Sequence, residues 1–160
     1  MSSNTLQIRA FESQDAPAVV AVVRAVFDEY GFTWEQGGYC ADLYDPQAYY
    51  IEPGGWFWVL ESENGEVVGC VGLSVHDDTA EVHRMYIHAD ARGQGGGRLL
   101  METCIDQAIA AGATTMRAWS DVKLDRAHAL YQRFGFERDG KRICNDPDQS
   151  REFGFIRSLP

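Results

Sequence analysis

The chain has 160 residues, 45% of them hydrophobic and 12% aromatic, enough apolar material for one packed core and too little for two ordinary domains, so a single domain spanning 1–160 is expected. Its 24 acidic and 14 basic side chains give a formal net charge of -10, which argues against a broad nucleic-acid-binding surface. Residues 1–9 carry no cationic segment followed by an apolar run, and no stretch approaches the ~20 apolar residues of a membrane span. Cys40, Cys70, Cys104 and Cys144 lie far apart, without a C-x-x-C pair or zinc-like histidine spacing. A soluble cytoplasmic protein with reduced thiols, no metal and no membrane or nucleic-acid partner is expected.

Leu6 to Phe11 alternates apolar and polar residues as a first strand, and Asp15 with Pro17 opens a helix over Ala16 to Tyr30 that Gly31 ends. The stretch to Pro53 reads as a partly helical loop, with a short helix around Tyr39 to Tyr44. Trp56 to Glu61 and Val67 to His76 are strands rich in aromatic and β-branched residues, and Asn64-Gly65 signals a two-residue hairpin. After the turn at Asp77-Asp78, Glu81 to His88 reads as a third strand of the meander. Strict alternation puts Glu81, His83, Met85 and Ile87 on one face and Val82, Arg84, Tyr86 and His88 on the other. A helix follows the glycine cluster and stops at Gly112, then come a strand at Thr114 to Trp119 and a helix at Leu124 to Phe134 ended by Gly135. Phe136 to Cys144 and Glu152 to Leu159 pair as a closing hairpin. The sum is an α/β fold on a mixed sheet.

Arg92-Gly93-Gln94-Gly95-Gly96-Gly97-Arg98 lies between a strand and a helix. A helix start leaves backbone N–H groups free and carries partial positive charge, glycine lets an anion approach closely, and the two arginines add cationic neighbours; this reads as an anion-binding loop with phosphate its natural ligand. It lacks the G-K-[ST] ending of a nucleotide-binding P-loop. Arg98 also occupies the third glycine position of the dinucleotide fingerprint.

Arg92, Gly95 and Gly97 meet the R/Q-x-x-G-x-G/A signature, and Ala127-His128-Ala129-Leu130-Tyr131-Gln132-Arg133-Phe134-Gly135-Phe136-Glu137 looks like a second motif, A-x-x-L-Y-x-x-x-G-F. With these two in order and the same succession of elements from Leu6 to Leu159, the sequence resembles the GNAT superfamily of N-acetyltransferases. The resemblance implies acetyl-CoA as donor, with its pyrophosphate on Arg92, Gly93, Gln94, Gly95, Gly96, Gly97 and Arg98, and its pantetheine arm along Met85, Tyr86 and Ile87. Leu124 stands where members often carry a cofactor-holding Asn, a contact that Ser120 or Asp121 would have to supply.

Acetyl transfer to an amine needs a neutral nucleophile, stabilisation of the charge that develops on the carbonyl oxygen, and a proton for the departing thiolate. The resemblance places Tyr131 as the general acid, Glu81 as the general base and a backbone N–H at Met85 as the oxyanion donor; His83, two residues from Glu81 and of a type that titrates near neutrality, is the competing base. Tyr131 also belongs to a core-facing stripe with Ala127, Leu130 and Phe134. The acceptor site is expected between Phe32–Pro53 and the strand end near Trp119, where Glu35, Asp42 and Asp45 would attract a cationic amine. The acceptor itself, a small-molecule or protein amine, has no sequence signature, and the C-terminal hairpin leaves monomer and homodimer open. The rival reading is a non-catalytic acyl-CoA-binding sensor.

Overall fold

The computed structural model describes residues 5–160; the reading of residues 1–4 as free of a leader lies outside them. The elements are β1 (Gln7–Ala10), α1 (Ala16–Tyr30), a 3-10 turn (Ala41–Tyr44), a π-type turn (Gln47–Ile51), β2 (Trp56–Glu61), β3 (Val67–His76), β4 (Thr79–Ile87), α2 (Gly96–Ala110), β5 (Thr115–Asp121), α3 (Asp125–Arg133), β6 (Glu137–Ile143) and β7 (Arg151–Ser158). All seven strands form one sheet in the order β1-β2-β3-β4-β5-β7-β6. Every pairing is antiparallel except β4 with β5. The expected mixed α/β sheet is present.

Pro17 starts α1 and left-handed Gly31 (φ 73) ends it. Val19, Val22, Val23, Val26 and Phe27 recur at helical spacing and are buried. Val19, Val23 and Phe27 pack with Phe57, Val59 and Cys70 on one face of the sheet. On the opposite face Leu100, Met101, Cys104 and Ala108 of α2 meet Val71, Leu73, Ala80 and Val82, and Tyr131 of α3 joins them. The sheet is therefore sandwiched between α1 with its following loop and α2 with α3.

Two details differ from the sequence reading. The β2–β3 hairpin closes at Ser62 and Glu66, whose backbone bond is 2.8 Å, around the three residues Glu63-Asn64-Gly65, with Gly65 at φ 80. This is the loop length that uses a left-handed glycine as its third residue. The second concerns β4, which does not alternate throughout: Gly72 pairs with His83 and Cys70 with Tyr86, so Arg84 and Met85 together oppose Val71. Arg84 takes φ 51 at this bulge. An inserted residue shifts the alternation by one. Ala80 and Val82 before the bulge, and Met85 and Ile87 after it, thus all pack on the α2 side, whereas Tyr86 packs on the α1 side and the His83 ring lies beside Tyr50 there. Glu81 and His83 do not share a face with Met85 and Ile87.

The parallel pairing of β4 with β5 covers only Thr79–Val82 against Thr115–Ala118. Past the bulge the two strands have no ladder between them, and the sheet opens into a wedge toward their C-terminal ends. The functional site lies in this opening.

Candidate active site

Two cavities meet in the wedge. The first, about 300 Å³, is lined by Met85, Tyr86 and Ile87 of β4, by Arg92, Gly93, Gly95, Gly96, Gly97 and Arg98, and by Leu124, Arg126, Ala127, Leu130 and Arg133 of α3 with the residue before it. Gly93 and Gly95 hold φ of 78 and 84, which L side chains rarely take. Gly95 caps α2 without a side chain, so the N–H groups of the first turn have no intrahelical partner. A Cβ on Gly96 would stand 2.6 Å from Leu60 Cδ2, and one on Gly97 3.1 Å from Leu130 Cδ2. Those two glycines let the helix start lie flat on the sheet and on α3.

Every charged residue lining this cavity is an arginine. Arg92 also reaches outward, donating through Nη1 and Nη2 to the two Glu29 carboxylate oxygens at 2.7 Å each and through Nε to the Ile87 carbonyl at 3.3 Å. That pairing holds the Glu29 carboxyl below its ordinary range. Arg98 is largely exposed and bonds Glu102 one turn along at 2.7 Å. Of the ten expected donor-site residues only Gln94 is outside the cavity lining, its amide lying 3.4 Å from the Asp90 carbonyl. Arg126 and Arg133, which carry no motif, were not singled out in the sequence; the start and end of α3 bring them in.

The second cavity, about 330 Å³, shares Met85, Tyr86, Leu124 and Ala127 with the first and extends to Phe32, Tyr39, Asp42 and Tyr50, to Glu81 and His83, to Tyr131, and to Trp119, Asp121, Arg142, Asp146 and Glu152. Its charge is the reverse of the first: five carboxylates face only Arg84 and Arg142, which are ion-paired with Asp42 and Glu152, though Arg84 Nη1 is buried with no partner among the described residues. Arg84 donates from Nε and Nη2 to Asp42 at 3.0 and 2.9 Å, bonds the Tyr39 carbonyl, and stacks 4.5 Å from the Tyr39 ring. Burial opposes its charge, but Tyr86 and Asp42 outweigh that and keep it protonated. Asp42 also accepts the Tyr50 hydroxyl at 2.6 Å, so the π-type turn, the 3-10 turn and the β4 bulge are tied at one carboxylate.

Tyr131 is 4% exposed. Its hydroxyl has no hydrogen-bond partner among the described residues and opens on the second cavity. Burial, with smaller effects from Tyr86, Cys104 and Glu152, pushes its phenol well above the ordinary value. Tyr86 is pushed up to about 12, again by burial. His83 Nε2 is 2.8 Å from Ser74 Oγ, and its Nδ1 is 3.4 Å from Glu81 Oε2. Burial lowers its pKa against the opposing pull of Glu81 and Asp42, leaving a neutral imidazole near pH 7. Tyr131, Glu81 and His83 thus line one cavity.

Of the loop carboxylates expected to attract an amine, Asp42 lines the cavity but is engaged by Arg84 and Tyr50. Glu35 and Asp45 do not line it; they accept backbone N–H groups of Tyr39 and Ala48 at 2.7 and 3.2 Å. Ser120 and Asp121, the expected substitutes for the missing Asn at Leu124, are engaged as well: Ser120 Oγ lies 3.2 Å from His128 Nε2 and Asp121 accepts the Lys123 N–H at 2.9 Å. All four cysteines are free and buried, and burial raises every one of their thiols, which makes a thiolate nucleophile unavailable. Among the described residues no group of three or more metal-ligating side chains occurs, and no helix is long and apolar enough to cross a membrane.

Residues 20–136 match the model of the acetyltransferase (GNAT) family. The chain is 35% identical over 136 residues to the uncharacterized N-acetyltransferase YjgM of Escherichia coli (strain K12), with 81% of each chain covered. Among solved structures, a GNAT-family acetyltransferase from Staphylococcus aureus Mu50 superposes with a TM-score of 0.85 at 16% identity, covering 98% of this chain and all of that one. A GNAT superfamily phosphinothricin acetyltransferase from Sinorhizobium meliloti, solved in complex with AcCoA, gives 0.79 at 21% identity, covering 99% and 89%. A glycine-started helix, a split between β4 and β5 and a family match over most of the chain agree: this protein belongs to the GNAT family and is an N-acetyltransferase.

Proposed function

We propose that the protein transfers an acetyl group from acetyl-CoA directly to a primary amine, with the donor in the arginine-lined cavity and the acceptor in the carboxylate-lined one. The observation that carries this reading is the opposite charge of two cavities that share the wall Met85, Tyr86, Leu124 and Ala127. The free N–H groups at the start of α2, with Arg126 and Arg133 beside them, suit a pyrophosphate. The mostly apolar lining between them suits a pantetheine arm. Bound there, acetyl-CoA supplies an acyl group already activated as a thioester.

The residues of the chain supply the rest. The N–H of Met85, at the bulge where the β3–β4 register shifts, is the proposed donor to the acyl oxygen. Tyr131 holds its proton through the physiological range, because burial raises its phenol, and donates it from the hydroxyl to the departing sulfur. Glu81, with the neutral His83 ring 3.4 Å away, receives the proton that the amine sheds. Four free thiols fit a reducing, cytoplasmic setting.

Thiol release from acetyl-CoA, measured over a panel of primary amines with mass detection of the product, tests the reading. Tyr131→Phe should lower kcat by roughly 10²-fold, with little change in acetyl-CoA binding. Wild-type kcat should stay level up to about pH 10, the ordinary phenol value. Full turnover by Tyr131→Phe would remove the tyrosine from the acid role, and an absence of amine-dependent thiol release would overturn direct transfer.

A further inference from the structure

We infer that the acceptor is an amine that also carries a carboxylate, and that Arg84 receives this acid group through Nη1. This rests on the acceptor cavity proposed above and names the substrate class it takes. The Arg84 side chain is only 9% exposed. Its Nε and Nη2 donate to the two Asp42 carboxylate oxygens and Nη2 also reaches the Tyr39 carbonyl, whereas Nη1 is buried with no partner among the described residues. Leaving a buried charged donor unsatisfied is costly, and a partner that arrives with the substrate removes that cost.

Tying the loop to the β4 bulge does not account for this nitrogen. Nε and Nη2 already complete the fork to Asp42, and a lysine would neutralise that carboxylate as a point charge without a spare donor. The arginine is also kept at φ 51, a conformation uncommon for any residue but glycine. The groups around its guanidinium, Tyr39, Asp42, Tyr50 and Tyr86, all line the acceptor cavity, and the Tyr50 and Tyr86 phenols both feel its charge. The charged end of Arg84, and not only its backbone, therefore borders that cavity. The turn carrying Tyr39 and Asp42 has no strand ladder to hold it, and it is the wall that yields to admit the acid group to Nη1.

Arg142, the other arginine of the cavity, has no such need. Its side chain is 47% exposed, its Nε is paired with Glu152 at 2.8 Å, and its guanidinium stacks 4.4 Å from the centre of the Trp119 ring. Arg84 also immediately precedes Met85, the proposed donor to the acyl oxygen, so an acid group held by Arg84 stays close to the amine that attacks. The two ends of such an acceptor then find opposite partners: its nitrogen faces the cavity carboxylates and its carboxylate faces Nη1. A guanidinium is suited to a planar acid group by its fork of donors.

Calorimetry on the full chain saturated with CoA tests this, with glycine, 3-aminopropanoate and 4-aminobutanoate each compared with its own primary amide, which keeps the shape and removes the acid charge. In wild type at least one of the acids should bind roughly tenfold or more tighter than its amide. Arg84→Lys, which keeps a cation for Asp42 and removes the Nη1 donor, should abolish most of that preference with CoA affinity unchanged. Arg142→Gln should retain it. If Arg84→Lys loses CoA binding along with its fold, Arg142→Gln decides: a retained preference leaves Arg84 as the anchor, and a lost one moves the acid group to Arg142. No acid favoured over its amide in wild type, or a preference that survives Arg84→Lys, would overturn the assignment. Repeating the titrations without CoA separates the two proposals: a missing CoA isotherm counts against the donor cavity, and amides bound as well as their acids count against Arg84.

Discussion

Arg84 concentrates more of the site's physics than any other side chain. It occupies a left-handed backbone position that a non-glycine residue takes only at a cost. Its side chain is 9% exposed and that of Asp42 14%. One of its nitrogens, Nη1, is buried with no partner. Breaking a buried ion pair leaves an uncompensated charge, at a cost of about 3–5 kcal/mol. Asp42→Asn should therefore destabilise the protein by roughly 3 kcal/mol, read as a lower midpoint of urea unfolding with an unchanged slope. A loss under about 0.5 kcal/mol, typical of surface substitutions, would show that the pair does not hold the loop to the bulge. Nothing in the sequence announced this residue: a lone arginine in an alternating strand reads as solvent-facing, and its partner is 42 positions away.

At the scale of elements, local pattern sufficed wherever a single segment sets its own conformation. The boundaries of α1, β2 and β3 follow from periodicity and from Gly31 and Gly65. That the motif glycines open a helix and that Tyr131 lies on a buried helical stripe was legible for the same reason, since each pattern is contained in one turn or one helix. What escaped were features made by two segments together. The β4 bulge exists only relative to β3, and it moved Glu81 and His83 off the face assigned to them. Arg126 and Arg133 matter only because α3 docks beside the glycine loop, and Glu152 only because β7 lies between β5 and β6. The π-type turn at Gln47–Ile51 was subsumed in an irregular loop because Pro46 and the following aromatics give no clear period.

The closing hairpin offers a direct test of such pairwise features. Its register shifts between Arg138 and Lys141, and a Cβ on Gly154 would lie 2.1 Å from the Asp139 carbonyl oxygen and 3.0 Å from the Trp119 ring. Gly154→Ala should cost roughly 2 kcal/mol or more, as expected for overpacking against backbone. Gly37→Ala meets nothing within 4 Å and serves as the control. Equal unfolding midpoints for the two would refute the packing argument. Because β7 carries Glu152, Gly154→Ala should also impair the acceptor cavity and spare the donor cavity.

Across the whole molecule, the net charge of -10 conceals a division of labour. Acidic side chains gather in the acceptor cavity, and arginines gather where α2 begins and α3 passes. In the proposed reading the charge along the wedge runs from positive to negative in the direction from donor to acceptor, which would orient an anionic donor and the cationic end of an acceptor at once. The family and the fold set the reaction type; the proposal of which partner enters from which end rests on the charge distribution of this chain. Calorimetric titration of acetyl-CoA into the wild-type protein and into Gly95→Asp, which places a carboxylate at the cap of α2, tests this account most directly. One saturable site per chain, abolished or weakened at least tenfold in Gly95→Asp, is the expected result; no saturable binding, or equal binding by both proteins, would contradict it.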